Sequence, residues 1–115
     1  LAELLDMQVL GDVCVGIGLD GLRPLLQGWL ADESGTRGQL GQALRDGDAE
    51  RIRALAHAVK GSAGSLGLKA VQALARRLEL ASAEIDPAAG AEAAAALETL
   101  VQRSQAVCRR MGLAE

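Results

Sequence analysis

Between residues 49 and 66 the apolar side chains fall where one face of an α-helix collects them. At about 100° per residue, Ile52, Leu55, Ala56, Val59, Ala63 and Leu66 lie within roughly 40° of one direction. Asp48 is placed to cap this helix, and Gly67 to end it in the left-handed conformation. Upstream, Asp6 can cap a first short helix running to about Gly16, and the Gly-Ile-Gly at 16–18 breaks the pattern. Asp20 is the next candidate cap. Pro24 then falls in a first turn, where a missing N–H costs little. Leu22, Leu25, Leu26, Trp29 and Leu30 recur at spacings of three and four. The stripe resumes at Leu40, Ala43 and Leu44. Gly35 and Gly38 weaken the stretch between, so whether one helix or two precede the turn at Asp46-Gly47-Asp48 stays open. A further helix is predicted from Leu68 to about Ala83, with Val71, Leu74, Ala75 and Leu78 on one face. Asp86-Pro87 opens the last one. Its near-heptad stripe of Leu97, Leu100, Val101, Ser104, Val107, Cys108 and Met111 suits the seam of an antiparallel bundle.

Composition supports an all-α fold. Half of the 115 residues are apolar, yet Phe and Tyr are missing and there is one Trp. The core must therefore be built from Leu, Ala and Val. Leu and Ala favour helices, and the aromatic residues typical of strands are nearly lacking. The length corresponds to one domain, 1–115. A net charge of −3, from 12 basic and 15 acidic residues, argues against a nucleic-acid partner, and no aromatic platform exists for stacking bases. Cys14 and Cys108 form no CxxC pair, and with a single His they fall short of the four ligands of a zinc site, so no metal is expected here. They read as small core residues, with a disulfide left open. The opening stretch to Leu19 is apolar but carries Glu3, Asp6 and Asp12 and no basic start. It is neither a clean signal peptide nor a membrane span. The chain begins on Leu rather than Met, as a piece cut from a longer protein would.

The candidate chemistry lies on the helix after Asp48. His57, the one histidine, points about 140° away from the centre of the buried stripe. Arg53 and Lys60 lie on the same flank, while Gly61 and Gly64 fall about 180° and 120° from the stripe. Each interior glycine weakens a helix by up to about 1 kcal/mol relative to Ala, and core packing is no reason for one on an outer face. Together they clear a shallow platform beside the imidazole. On this reading Gly61 keeps access open, and Arg53 and Gly64 belong to a docking face. Ser62, on the opposite flank, falls at the edge of the bundle. A neutral imidazole attacks an activated phosphoryl group without a separate base. Phosphoryl transfer depends mainly on positioning and charge stabilisation, and Lys60 can share in the second task. No carboxylate cluster for Mg²⁺ is evident on this face, so the metal would come with the partner. The plainer alternative is a solvated histidine on a helix whose small residues let another backbone approach.

The run His57-Ala-Val-Lys60-Gly61-Ser62-Ala63-Gly64-Ser65-Leu66-Gly67 resembles the signature of bacterial histidine phosphotransfer (HPt) domains: His, Lys at +3, Gly at +4, small residues at +5 and +6, and Gly at +10. The resemblance extends into Leu74, Leu78 and Glu79 and back to Ala43-Leu44 and Gly47-Asp48, covering roughly residues 20–82. It implies an antiparallel four-helix bundle with a short additional N-terminal helix. It implies that His57 accepts a phosphoryl group from an aspartyl phosphate on a receiver domain and hands it to another receiver. It further implies that Lys60 assists the phosphate and Gly61 keeps the approach open, with no cofactor in the domain and Mg²⁺ on the partner receiver. Such domains often close hybrid sensor kinases, which implies a cytoplasmic module of a parent with an optional inner-membrane anchor. This domain itself would have no ATP-dependent kinase activity and no membrane contact. Trp29 stands where many relatives have Phe, a change expected to affect core packing. The glycine-rich stretch 35–41 replaces what is usually continuous helix.

Two competing functions are weighed against this. Lys60-Gly61-Ser62 looks like a scrambled phosphate-binding loop, but the order Gly-Lys-Ser/Thr after a strand is lacking, which speaks against a nucleotide-binding enzyme. The other is a helical interaction module that docks a receiver or another signalling partner without being phosphorylated.

Overall fold

A computed structural model describes residues 2–115. It is helical throughout, with no strand among the described residues. Helix α1 spans Met7–Ala31, α2 Thr36–Asp46, α3 Ala49–Ser65, α4 Lys69–Leu80 and α5 Pro87–Arg110, with a short 3₁₀ turn at Ser82–Glu84 before α5.

The caps explain most boundaries. Asp6 accepts from the backbone N–H groups of Gln8 and Val9, both at 3.1 Å, so α1 starts where the sequence places it. The break in α1 falls at Gly18, within the Gly-Ile-Gly expected to interrupt it, because Gly18 takes φ 77°, ψ 167°. Asp20 is not a backbone cap; it pairs with Arg23 at 3.3 Å. Pro24 consequently lies inside the helical segment rather than in a capped first turn.

The open question about residues 35–38 resolves as a break at 32–35. Asp32 accepts from the Ser34 backbone N–H at 3.0 Å and from its hydroxyl at 2.8 Å, a local turn that competes with helix. Arg37, almost fully buried, splices the break. Its guanidinium donates to the Leu30 carbonyl at 2.8 Å and to Glu98 of α5 at 3.3 Å, satisfying the end of α1 from the start of α2. The two pieces act as one column against α5. Leu44 lies where Gly90 approaches, Arg37 meets Glu98, and Arg23 donates to the Gly112 carbonyl at 2.8 Å. The partners rise along α5 as they fall along the column, so the pair is antiparallel. With α3 packed most extensively on α4, and α2 on both α5 and α3, the result is a four-helix bundle preceded by the first half of α1.

The core is aliphatic, as the composition requires: Leu22, Leu26, Leu40, Leu44, Ile52, Val59, Leu68, Val71 and Val101 are fully buried. Trp29 is only partly buried. Its indole N–H donates to Ser62 Oγ at 3.0 Å, tying α1 to α3 at the bundle edge where Ser62 was expected. Ser104 is fully buried, and its hydroxyl finds no hydrogen-bond partner among the described residues. Cys14 and Cys108 are free thiols, Cys108 fully buried. No described helix is long and apolar enough to cross a membrane.

Candidate functional site

Helix α3 begins on Asp48, whose carboxylate accepts from the Arg51 N–H at 3.3 Å. Ile52, Ala56, Val59 and Ala63 face the core without exposed area, which fixes the rotation of the helix. Leu55 and Leu66, at the edges of the expected stripe, are half-buried. This rotation turns His57 outward, with 72% of its side chain exposed.

At the other end, Leu68 N–H returns to the Ala63 carbonyl at 2.9 Å and Gly67 adopts φ 71°. Gly67 is needed for more than its left-handed angle. A Cβ there would meet Leu10 Cγ at 2.9 Å and the Asp6 carbonyl oxygen at 3.0 Å, because the N-terminal segment lies directly on this turn. The Asp6 N–H donates to the Gly67 carbonyl at 2.8 Å. The turn therefore has one geometry, and α4 runs back along α3 in a fixed register.

That register brings Glu79 to His57. His57 Nδ1 lies 3.1 Å from both carboxylate oxygens of Glu79. Lys60 Nζ also lies 3.1 Å from both. Glu79 is 19% exposed, and the two neighbours hold its carboxyl below the ordinary carboxylate value, the His57 hydrogen bond contributing most and the Lys60 hydrogen bond next. An ionised carboxylate at Nδ1 accepts the ring N–H and so selects the tautomer with its lone pair on Nε2. Nε2 is left as the nitrogen available to solvent. The carboxylate also favours the positive charge that develops on the ring when Nε2 forms a bond.

The remaining expected residues divide. Gly61 is exposed, and a Cβ there would meet nothing within 4 Å, so the space beside the ring is open. Gly64 is not part of an open face. It is half-buried, and a Cβ would run into the Gln72 side-chain amide of α4, because the hairpin closes over that side of α3. Arg53 is exposed on the flank of His57 and makes no hydrogen bond or ion pair among the described residues. Ser65 Oγ donates to the Gly61 carbonyl at 2.9 Å, one turn along.

Sequence reasoning placed Glu79 only at the end of a motif and gave it no part beside the ring. The signal was nonetheless there: His57 lies ten residues before Gly67 and Glu79 twelve after it, which an antiparallel hairpin folded at Gly67 sets level. No group of three or more His, Cys, Asp or Glu side chains arranged for a metal occurs among the described residues. The single carboxylate beside His57 is already engaged by two nitrogen donors.

A family model described as "Hpt domain" matches residues 24–107. No curated protein and no solved structure gives a match.

Proposed function

The chain belongs to the Hpt domain family, whose members serve phosphorelay in two-component signalling, and we propose that His57 is the residue that carries the phosphoryl group. The observation supporting this is the exposed Nε2 of an imidazole whose Nδ1 is held by Glu79.

In the forward step the Nε2 lone pair attacks the phosphorus of an aspartyl phosphate on a receiver domain. The N–P bond forms, the P–O bond to the aspartate breaks, and the aspartate leaves as a carboxylate with its electron pair. The Nδ1 proton stays on the ring, hydrogen-bonded to Glu79, so the product is a phosphorylated imidazolium beside an anion. In the onward step a carboxylate of a second receiver attacks phosphorus, and the N–P electron pair returns to Nε2. Lys60 keeps Glu79 ionised and adds positive charge near the incoming phosphoryl oxygens. Gly61 leaves room for the partner's surface. Mg²⁺ belongs to the receiver's side of the encounter, where it offsets phosphoryl charge. A hybrid sensor kinase as parent and a cytoplasmic setting belong to the same proposal.

The test is transfer of label. Incubation with a radiolabelled phospho-receiver and Mg²⁺ should place acid-labile, base-stable label on this chain. His57→Gln should remove it, and Lys60→Ala should slow its appearance while the bundle stays folded. Label that survives in His57→Gln would place the phosphoryl group on another residue and overturn the role of His57, whereas no transfer from a panel of receivers would leave the docking module without phosphorylation as the better reading.

A further inference from the structure

Charge is unevenly distributed along the chain. Residues 49–80, which make up α3, α4 and their turn, hold six Lys and Arg against two Glu, whereas the other residues hold six against thirteen Asp and Glu. A basic hairpin is therefore packed into an otherwise acidic molecule, an arrangement that steers oppositely charged partners to its outer face. A groove of about 820 Å³ runs along this hairpin. Lys60, Lys69, Arg76 and Arg77 line it together with Leu80 and Leu100, and Glu3 is the one carboxylate among its lining residues. Arg76 and Arg77 are exposed and make no side-chain hydrogen bond or ion pair among the described residues. Leu80 leaves 77% of its area to solvent. A lone exposed leucine is ordinary. One set in a groove beside two arginines that lack partners among the described residues suits a partner with an apolar side chain among carboxylates.

We propose that this groove seats an acidic segment with an apolar tip on the receiver domain that exchanges phosphate with His57. The groove is continuous with the transfer site, because Lys60 both lines it and binds Glu79. A partner placed over His57 extends naturally onto it. The arginines suit carboxylates through paired N–H donors, and Leu80 with Leu100 supplies the apolar contact. A flat bilayer fits a concave surface poorly, and a nucleic acid would find four cations and no aromatic platform. The inference rests on the phosphorelay reading, and its test separates the two.

The whole chain is compared with the double variant Arg76→Glu/Arg77→Glu and with Leu80→Ser, using a receiver phosphorylated by acetyl phosphate as one donor and phosphoramidate as the other. The double variant should lower kcat/KM for the receiver at least tenfold at low salt and flatten its salt dependence, with kcat and phosphoramidate labelling unchanged. Leu80→Ser should lower kcat/KM about threefold or more, with little change in the salt slope. If kcat/KM in all variants stays within twofold of the parent while His57 is still labelled, the groove proposal falls and the phosphorelay reading stands. If phosphoramidate labels His57 but no receiver does, the receiver reading falls and takes the proposal with it. Co-sedimentation with vesicles of phosphatidylcholine and phosphatidylglycerol that the double variant abolishes, alongside unaltered receiver transfer, would also overturn it in favour of a lipid surface.

Discussion

His57 on α3 and Glu79 on α4 share a hydrogen bond in which Nδ1 sits equidistant, at 3.1 Å, from the two carboxylate oxygens. This bond determines which ring nitrogen is free, so it governs where phosphate goes as well as how fast. Glu79→Ala should slow phosphoryl acceptance by about 10–100-fold, the range typical of a lost orienting partner. Glu79→Gln should cost less, because its amide oxygen still accepts from Nδ1. The parent should form the Nε2 isomer of phosphohistidine, read by ³¹P and ¹⁵N NMR, and Glu79→Ala should form a mixture. An unchanged rate with a single unchanged isomer would show that the pair is incidental.

The same pair makes stability depend on acid. Glu79 is held below its ordinary value of 4.5 by His57 first and Lys60 second. A carboxyl depressed in the folded state stabilises that state above its ordinary value, and the contribution is lost as pH falls through the folded value. Asp32, depressed mainly by the Ser34 hydroxyl, acts in the same sense, so the parent alone does not isolate the effect. In urea titrations the stability difference between the parent and Glu79→Gln should be present above pH 4.5 and shrink below it. A difference that widens on acidification contradicts the assignment.

Gly61 and Gly64 should behave differently despite their shared motif. A Cβ at Gly61 meets nothing within 4 Å and Phe replaces a poor helix former, so in Gly61→Phe stability should hold or rise by about 0.5 kcal/mol. Transfer from a receiver should nonetheless drop sharply, because the ring then faces a bulky neighbour. Gly64→Ala requires the Gln72 side chain to swing aside, a change expected to stay within about 1 kcal/mol, with transfer retained. Transfer at the original rate in Gly61→Phe would remove the argument for an open platform.

Two buried polar groups should respond with opposite signs. Arg37→Ala leaves the Leu30 carbonyl without its buried donor, while Glu98, half-exposed, returns to water, and denaturant unfolding should show a loss of about 1–3 kcal/mol. Ser104→Ala removes a hydroxyl that has no partner among the described residues, and should be neutral or stabilising by up to about 1 kcal/mol. A loss of more than that in Ser104→Ala would mean that the hydroxyl bonds a water molecule in solution.

The sequence was informative wherever one residue type carries one physical consequence. Asp6, Asp48 and Asp86 cap the helices they precede, and the period of Ile52, Ala56, Val59 and Ala63 fixed the outward turn of His57. It was less informative where the outcome depends on a partner distant in the chain. Gly64 looked open because a helical wheel has no neighbour on it, and Gln72 supplies that neighbour. The predicted helix to Ala83 ends instead at Leu80, where the chain tightens into a 3₁₀ turn that buries Ser82. Arg37 gave no sign of its splicing role, since its carbonyl partners belong to the backbone and carry no side-chain signature. Glu79 lay between these cases: its residue type was visible, but its importance depended on register.

Register also decides what kind of change the site tolerates. His57 and Glu79 are 22 positions apart, and the turn around Gly67 closes the path between them. A loop of that length costs little entropy to close, and its contacts are near in sequence. The pair can therefore meet on a two-helix hairpin before α5 arrives. Extra residues inserted at 32–35 or 81–86 would lengthen connections without moving Nδ1 from its carboxylate. One extra residue within α3 after His57, or within α4 before Glu79, would rotate the rest of that helix by about 100° and part them. The heritable unit of this chemistry is a spacing, carried by a short stretch of chain that evolution can move intact from one protein to the next.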